Sequence, residues 1–142
     1  MLRLPNKQEI VWELYLKGKK ITEIAQKLGI SKQAVSLYLK HARAKIMDIF
    51  VSLANVMDLD IIKMNAEKGI LIGTIRQTDE RIFIFYIPKK GPLAIYSGVL
   101  NSKIKEDSNC RTVIEFYSKL LNIQEKDLRK VLLKILSFAE VV

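Results

Sequence analysis

The sequence predicts an α+β protein with an N-terminal helical domain, a long connecting helix and a C-terminal antiparallel β-meander with two terminal helices. Three observations predict it. Apolar residues recur at helical spacing over the first 57 positions, short runs rich in Ile, Phe and Tyr follow from residue 60, and helical spacing returns after Ser102. We therefore expect a helical head and a mixed module joined by one helix.

Local signals divide the head into three helices. Pro5 predicts the start of the first helix, which should run to about residue 17. Thr22 is expected to cap a short second helix that ends at Gly29, and Ser31 to cap the third. The apolar face of the first helix consists of Ile10, Val11, Leu14 and Tyr15, and Trp12 and Leu16 widen it.

The third helix meets no breaker after Ser31, and its apolar residues follow a 3-4-3-4-3 spacing. This spacing is typical of a helix-pairing seam, which predicts a homodimer. Burial of the same residues against their own chain is the alternative reading, since the spacing holds for fewer than three heptads. The seam residues are Leu39, Ala42, Ile46, Ile49, Leu53 and Val56.

Residues 60–100 read as a meander of three or four strands, with "AEKG", "TDE" and "KKG" as the turns. The run "IFIFYI" is apolar on both faces, which indicates a strand that is covered on both sides. Two helices are predicted to follow, at about 109–121 and 124–140, with Asn122 between them. The predicted domains are a head at 1–45, a connecting and dimerisation helix at 46–58, and a dimerisation or effector domain at 59–142.

The positive charge is concentrated in the head. Residues 1–45 hold ten Lys and Arg against three acidic residues, a balance of +7 out of the chain's net +9. A surface charged only for solubility would spread its charge, whereas this concentration suits a module that binds a polyanion. A Lys-rich background typical of thermophiles would explain the lysines but not the local shortage of acids.

The stretch "ITEIAQKLGISKQAVSLYLK", residues 21–40, fits a helix-turn-helix. Such a motif needs an apolar first helix with a small residue at the crossing, a glycine in the turn, and a second helix packed back at a steep angle. Ala25 is the small residue and Gly29 takes the turn. The packing positions are filled by Ile24, Leu28, Ile30, Val35 and Tyr38.

With those residues facing inward, the opposite face of the third helix should enter the major groove of DNA. Gln33 can form two hydrogen bonds to adenine, Lys32 can reach guanine, and Ser36 permits close approach. The predicted base-reading residues are Lys32, Gln33, Ser36, Leu37 and Lys40, of which Lys40 also suits a phosphate. The predicted phosphate contacts are Lys19, Lys20, Thr22, Ser31 and Arg43.

The segments "LPNKQ", "GKKITEIAQKLGISKQAVS" and "ARAKI" carry a family resemblance. Over roughly residues 2–57 the chain resembles the N-terminal domain of the archaeal Tfx family of DNA-binding regulators, and more broadly the helix-turn-helix of sigma-factor region 4 and of LuxR-type regulators. The resemblance implies sequence-specific binding of double-stranded DNA in transcription control, with Lys32, Gln33, Ser36 and Lys40 in the recognition positions.

The leading hypothesis is thus a dimeric transcription regulator, and an architectural, nucleoid-type DNA-binding protein is the alternative. Catalysis is not expected, since Ser97 has no G-x-S-x-G setting and no phosphate-binding glycine loop is present. No cofactor or metal site is predicted, because Cys110 and His41 are each the sole residue of their type.

The chain shows no signal peptide and no apolar run of membrane-spanning length, so we expect a cytoplasmic, nucleoid-associated protein without a membrane partner. For the C-terminal module two roles stay open: it assembles a dimer, or it binds an unidentified effector or protein. The apolar strands favour assembly, with one face of the sheet covered by the terminal helices and the other offered to a second subunit.

Overall fold

Three helices open the chain in a computed structural model that describes residues 2–102 and 104–141; residues 1, 103 and 142, which the predicted domain ranges include, lie outside it. They are α1 (Asn6–Leu16), α2 (Ile21–Leu28) and α3 (Lys32–Val56). Ser31 caps α3 as predicted, because its hydroxyl accepts a hydrogen bond from the Ala34 amide at 3.0 Å. The prediction that Thr22 caps α2 is wrong. The cap position is Lys20, whose amide donates to the Glu23 carboxylate at 3.2 Å and sets the start of the helix earlier.

A four-stranded antiparallel sheet follows α3 and has the strand order β1-β2-β3-β4. The strands are β1 (Leu59–Asn65), β2 (Ile70–Ile75), β3 (Arg81–Ile87) and β4 (Gly91–Tyr96). Each strand pairs with the next along the chain, and the register sets Leu71 opposite Ile84 and Ile84 opposite Ala94. The predicted meander is therefore confirmed, with four strands.

Three helices complete the described chain: α4 (Val99–Ser102), α5 (Ser108–Leu121) and α6 (Leu128–Phe138). The short α4 was not anticipated by the sequence pattern. Asn122 ends α5 in the left-handed conformation, with φ +52°. The last helix begins later than the predicted residue 124, because the Asp127 carboxylate caps it by accepting the Arg129 amide at 3.0 Å. The predicted α+β fold class is confirmed.

Strand β3 separates two apolar cores. Ile84 and Tyr86 point to one face, where they pack with residues of α1 and α3, and Phe85 and Ile87 point to the other, where they pack with α5 and α6. The strand is covered on both sides, as "IFIFYI" predicted. The covering layer on the first face is the chain's own head, so the expectation that this face is offered to a second subunit is wrong.

The predicted helix-pairing seam is part of that same core. Ala42, Ile46 and Ile49 are buried against the sheet and α1, and Leu53 packs at the edge of this cluster. Leu39 packs instead at the edge of the cluster between α1, α2 and α3. Val56, by contrast, is 84% exposed. A second helix could reach the buried residues only by displacing the chain's own sheet, so the seam serves intramolecular packing. The 3-4 spacing arises because α3 lies along a sheet, which demands the same apolar stripe as a partner helix.

Helix α1 connects the head to the sheet. Val11 and Leu14 face α2 and α3, whereas Trp12 and Leu16 face the sheet core. The predicted boundary at residue 45 falls inside the single helix α3. The head and the C-terminal module consequently share the apolar core on one face of the sheet, and the direction of the head is set by this packing.

Candidate nucleic-acid interface

Helices α2 and α3 pack as a helix-turn-helix. Ile24, Ala25 and Val35 are buried between them, and the turn contains Gly29 with φ +65°. A positive φ of this kind costs a glycine nothing and an alanine about 1 kcal/mol or more. Leu28, Ile30 and Tyr38 pack at the margin of this cluster. All the residues that the sequence assigned to the motif's core lie in it.

The five predicted base-reading residues form one continuous surface on the first half of α3. Lys32, Gln33, Ser36, Leu37 and Lys40 line a single shallow concavity of about 450 Å³. All five are exposed, and the Leu37 side chain is 54% exposed. We call this surface the reading face. Its polar side chains make no hydrogen bond or ion pair within residues 2–102 and 104–141, so their hydrogen-bonding groups are available to a ligand.

Two of the five predicted phosphate contacts lie next to the reading face. Arg43 lies next to it, because it lines a second small depression together with Ser36 and Lys40. Ser31 stands at the start of α3, where its hydroxyl already satisfies the Ala34 amide. Lys19 and Lys20 lie in the α1–α2 loop, and Thr22 is exposed in the first turn of α2. The structure thus groups the first two near the reading face and the other three on one separate loop and helix start.

A buried carboxylate, which the sequence pattern did not single out, fixes the start of α1 to the sheet. Glu9 is only 4% exposed, and its carboxylate binds the Arg3 guanidinium at 2.7 Å. The Tyr86 hydroxyl donates to it at 2.5 Å, and the Lys89 amide donates to it at 2.9 Å. The Tyr86 oxygen in turn accepts from the Leu4 amide at 2.7 Å. These bonds join residues of the first ten positions to one another and to Tyr86 and Lys89 of the β3–β4 hairpin.

The charges of this network shift its pKa values in a consistent way. Burial by itself raises the pKa of Glu9, but the hydrogen bonds from Arg3, Tyr86 and Lys89 outweigh it and hold that pKa below its ordinary value. Burial, together with the neighbouring carboxylate, raises the pKa of Tyr86 to about 12. At neutral pH the pair is therefore an ionised carboxylate and a neutral phenol, which is the combination that the short hydrogen bond requires.

An aromatic pair reinforces the attachment. The rings of Trp12 and Tyr86 meet edge to face, with their centroids 5.5 Å apart and an interplanar angle of 85°. The Trp12 indole N–H donates to the Glu67 carbonyl at 2.9 Å. Gly69 lies against the indole, since a Cβ at that position would approach the Trp12 ring within 3.0 Å. In the sequence, this attachment was indicated only by Trp12 and Leu16, which widen the apolar face of α1.

The comparison with known families agrees with this geometry. Residues 1–46 match the family described as Sigma-70, region 4. The matched segment includes the helix-turn-helix, since it contains α1, α2 and the reading face on α3. Among curated proteins and solved structures, none matches the chain. The match supports DNA binding by the head, and it extends over about the first third of the chain.

Within residues 2–102 and 104–141, no three His, Cys, Asp or Glu side chains lie close enough to hold a metal ion together. None of the helices in the described part of the chain has both the length and the apolar character that crossing a membrane requires. The thiol of Cys110 is buried in α5, and burial raises its pKa to about 11.

Proposed function

We propose that the protein is a sequence-specific DNA-binding transcription regulator that reads the major groove with the first half of α3. The observation that carries the proposal is the reading face: five side chains of suitable chemistry, exposed and without partners in the described chain, along one side of one helix. Regulators of the archaeal Tfx type, which the head resembles, would use the corresponding positions in this way.

The chemistry of the reading face suits bases more than it suits backbone alone. The Gln33 amide offers a donor and an acceptor, which match the N6 and N7 groups of adenine, and Lys32 matches the acceptors of guanine. The exposed Leu37 side chain offers an apolar contact to the methyl group of thymine. A surface that only neutralised phosphates would need neither an amide nor an aliphatic side chain at its centre.

The flanking groups would set the register of the helix on the duplex. Lys40 and Arg43 lie further along α3 and share one depression, whereas Lys19 and Lys20 approach from the α1–α2 loop. Thr22 and Ser31 stand in the first turn of α2 and at the cap of α3, where free backbone amides favour an anion. None of the four cations takes part in an ion pair with another described residue, so each is available to a phosphate.

Binding of two copies to two half-sites is part of the proposal, but the buried seam cannot be the contact. Besides Leu37 on the reading face and Val56 at its last residue, α3 leaves two large apolar side chains exposed, Met47 at 46% and Val51 at 43%. They lie four residues apart and hence on one side of the helix, next to each other. A second copy that covered them would bring two recognition helices into a fixed spacing.

Selection of bound duplexes from a random pool by the full chain tests the proposal. The expected result is an enriched motif with two half-sites, bound at least about a hundredfold more tightly than its scrambled form at physiological salt. Equal affinity for the motif and for scrambled duplexes would contradict it. Sedimentation of the DNA complex formed by the double variant M47E/V51E, compared with that of the wild type, tests whether a second copy binds through Met47 and Val51.

The alternative is an architectural DNA-binding protein that coats duplexes without reading bases. The excess of seven positive charges in residues 1–45 favours this function, since charge alone gives affinity for any duplex. In that case occupancy would follow protein concentration evenly along a long duplex, and the selection described above would enrich no motif.

A further inference from the structure

A cleft of about 850 Å³ lies between the end of α1, the β3–β4 turn and α5. Its volume falls within the range of roughly 300–1,000 Å³ that small-molecule sites occupy. The floor is apolar and is formed by Ile87, Pro88, Phe116 and Leu120. The sequence pattern gave no sign of this cleft, because its walls come from three segments that are far apart along the chain.

The rim of the cleft is cationic. Five lysines line it against two glutamates, and both glutamates are already paired: Glu13 with Lys17 at 3.0 Å and Glu115 with Lys119 at 3.6 Å. Those partners lie one helical turn apart on the same helix, so these pairs are part of the helices themselves. The side chains of Lys19, Lys89 and Lys90 form no ion pair with residues 2–102 or 104–141 and leave the rim with an uncompensated positive charge.

The turn that carries two of these lysines is held in place. Lys89 has φ +70°, a conformation that few residues other than glycine adopt. Its amide donates to Glu9 and its carbonyl accepts from Arg3 at 2.9 Å, so the buried network described above fixes the backbone of the turn. The cations are therefore presented from a rigid support above an apolar floor, and a ligand need not order the loop when it binds.

We propose that this cleft binds an amphipathic organic anion, a molecule with an aliphatic or aromatic body and one carboxylate, sulfonate or phosphate group. The body would cover Phe116 and Leu120, and the anionic group would lie between Lys89, Lys90 and Lys19. A neutral apolar molecule would leave the three lysines without a counter-charge, and a small inorganic anion would leave the floor exposed to water.

The test uses the full chain and the fluorescent anion 1-anilinonaphthalene-8-sulfonate, with decanoate as competitor. We expect saturable binding of one probe per chain, displacement by decanoate, and little displacement by decanol or by inorganic phosphate at equal concentration. The double variant K89Q/K90Q should bind the probe about tenfold more weakly, because two exposed charge contacts are lost. The matched control is K130Q/K134Q, which removes two exposed lysines of α6 that do not line the cleft.

A second variant tests the cavity itself. Thr112 lines the cleft on α5, and T112W would fill it, so we expect binding of the probe to be lost while the thermal unfolding midpoint stays close to that of the wild type. If T112W fails to fold, the probe affinity of K89Q/K90Q still tests whether the cleft binds an organic anion. Unchanged probe affinity in K89Q/K90Q, or equal competition by decanol, would overturn the proposal. Full displacement of the probe by inorganic phosphate would contradict the proposal that the ligand has an apolar body. If K89Q/K90Q lost affinity for DNA but not for the probe, the lysines of the rim would be DNA contacts instead.

Lys19 belongs both to this rim and to the predicted phosphate contacts, so occupation of the cleft should weaken DNA binding. This consequence rests on the proposed function. We expect decanoate to lower the affinity for the selected duplex several-fold in the wild type, and K89Q/K90Q should need about tenfold more decanoate for the same effect. If the chain binds the probe but no duplex, the proposed function fails and the ligand site stands. If it binds duplex with an affinity that decanoate does not change, the coupling fails.

Discussion

The hydroxyl of Tyr86, on the third strand, donates a hydrogen bond of 2.5 Å to the carboxylate of Glu9, on the first helix, across 77 residues of chain. The same carboxylate is bound by Arg3 and by the amide of Lys89. Glu9 thus joins the helix that supports the recognition head to the hairpin that borders the cleft. This relationship makes the position of the head a property of the whole fold and not of a separate domain.

Replacing Tyr86 with phenylalanine should lower the free energy of unfolding by about 1.5–3 kcal/mol, because it removes a buried hydrogen bond to a charged group and leaves the Leu4 amide without its acceptor. The edge-to-face contact with Trp12 would remain. Urea unfolding at pH 7 measures the change. The control is Tyr96→Phe, at an exposed position on β4, where less than 0.5 kcal/mol is expected. Equal effects of the two variants would contradict the role given to the Tyr86 hydroxyl.

The network should also make stability depend on pH in a defined direction. Because the pKa of Glu9 is lowered by folding, its contribution is complete above the ordinary carboxyl pKa of 4.5 and is lost as the pH falls through the lower folded value. The difference in unfolding free energy between wild type and Glu9→Gln should therefore be largest at pH 7, at about 2–3 kcal/mol, and should shrink under acid. Urea titrations at pH 7 and below pH 4 measure it. A difference that grows as the pH falls would have the wrong sign.

Much of the architecture could be predicted from local pattern. The continuous apolar run "IFIFYI" indicated a strand covered on both faces, and the uninterrupted apolar stripe after Ser31 indicated one long helix, as observed. The spacing of apolar residues on α3 does not determine which element covers them. A sheet and a partner helix both demand apolar residues at 3-4 spacing, so Ile46 and Ile49, which were interpreted as a dimer seam, fit the chain's own core as well.

The features that escaped prediction all depend on long-range pairing. Glu9 reads as an ordinary exposed acid of a first helical turn, and only its neighbours in space explain why it is buried. The cleft has the same cause, since its floor joins Ile87 to Phe116 and its rim joins Lys19 to Lys89. The reading face could be predicted from the local sequence pattern, because its five residues lie on one helix within nine positions. Their contact with bases stays a prediction.

The close approach of Gly69 to Trp12 leads to a paired stability experiment. Gly69 and Gly18 both have positive φ, +73° and +89°, so replacing either with alanine should cost about 1 kcal/mol in the backbone. At Gly18 a Cβ would meet nothing within 4 Å, whereas at Gly69 it would meet the indole at 3.0 Å and the Tyr86 Cβ at 3.3 Å. Gly69→Ala should therefore be less stable than Gly18→Ala by a further 1–3 kcal/mol or so, as measured by thermal unfolding. Equal losses would mean that the Trp12 contact is loose.

The intramolecular role of the seam residues can be tested against dimerisation. Ile49→Ala should lower the unfolding free energy by about 2–4 kcal/mol, because Ile49 is 3% exposed in the chain's own core. Val56→Ala, at a position 84% exposed, should change it by less than about 0.5 kcal/mol. If the seam were a dimer contact, the loss in Ile49→Ala would depend on protein concentration. We expect the same loss at 1 and at roughly 50 micromolar protein.

The division of labour on α3 gives the sharpest test of DNA recognition. Replacing Gln33 and Ser36 together with alanine should reduce the preference for the selected motif over scrambled duplex about tenfold or more, with little change in affinity for the scrambled form, because the lost groups touch bases. Lys40→Ala should weaken binding to both duplexes by a similar factor and reduce the slope of log K against log salt by about one, because it removes one phosphate contact. Lys63→Ala, an exposed lysine of β1 outside the head, is the matched control and should leave both quantities unchanged. Fluorescence anisotropy with both duplexes over a series of salt concentrations separates the outcomes. If the double variant lost affinity for both duplexes equally, Gln33 and Ser36 would contact the backbone, and the reading of bases would have to come from Lys32 or Leu37.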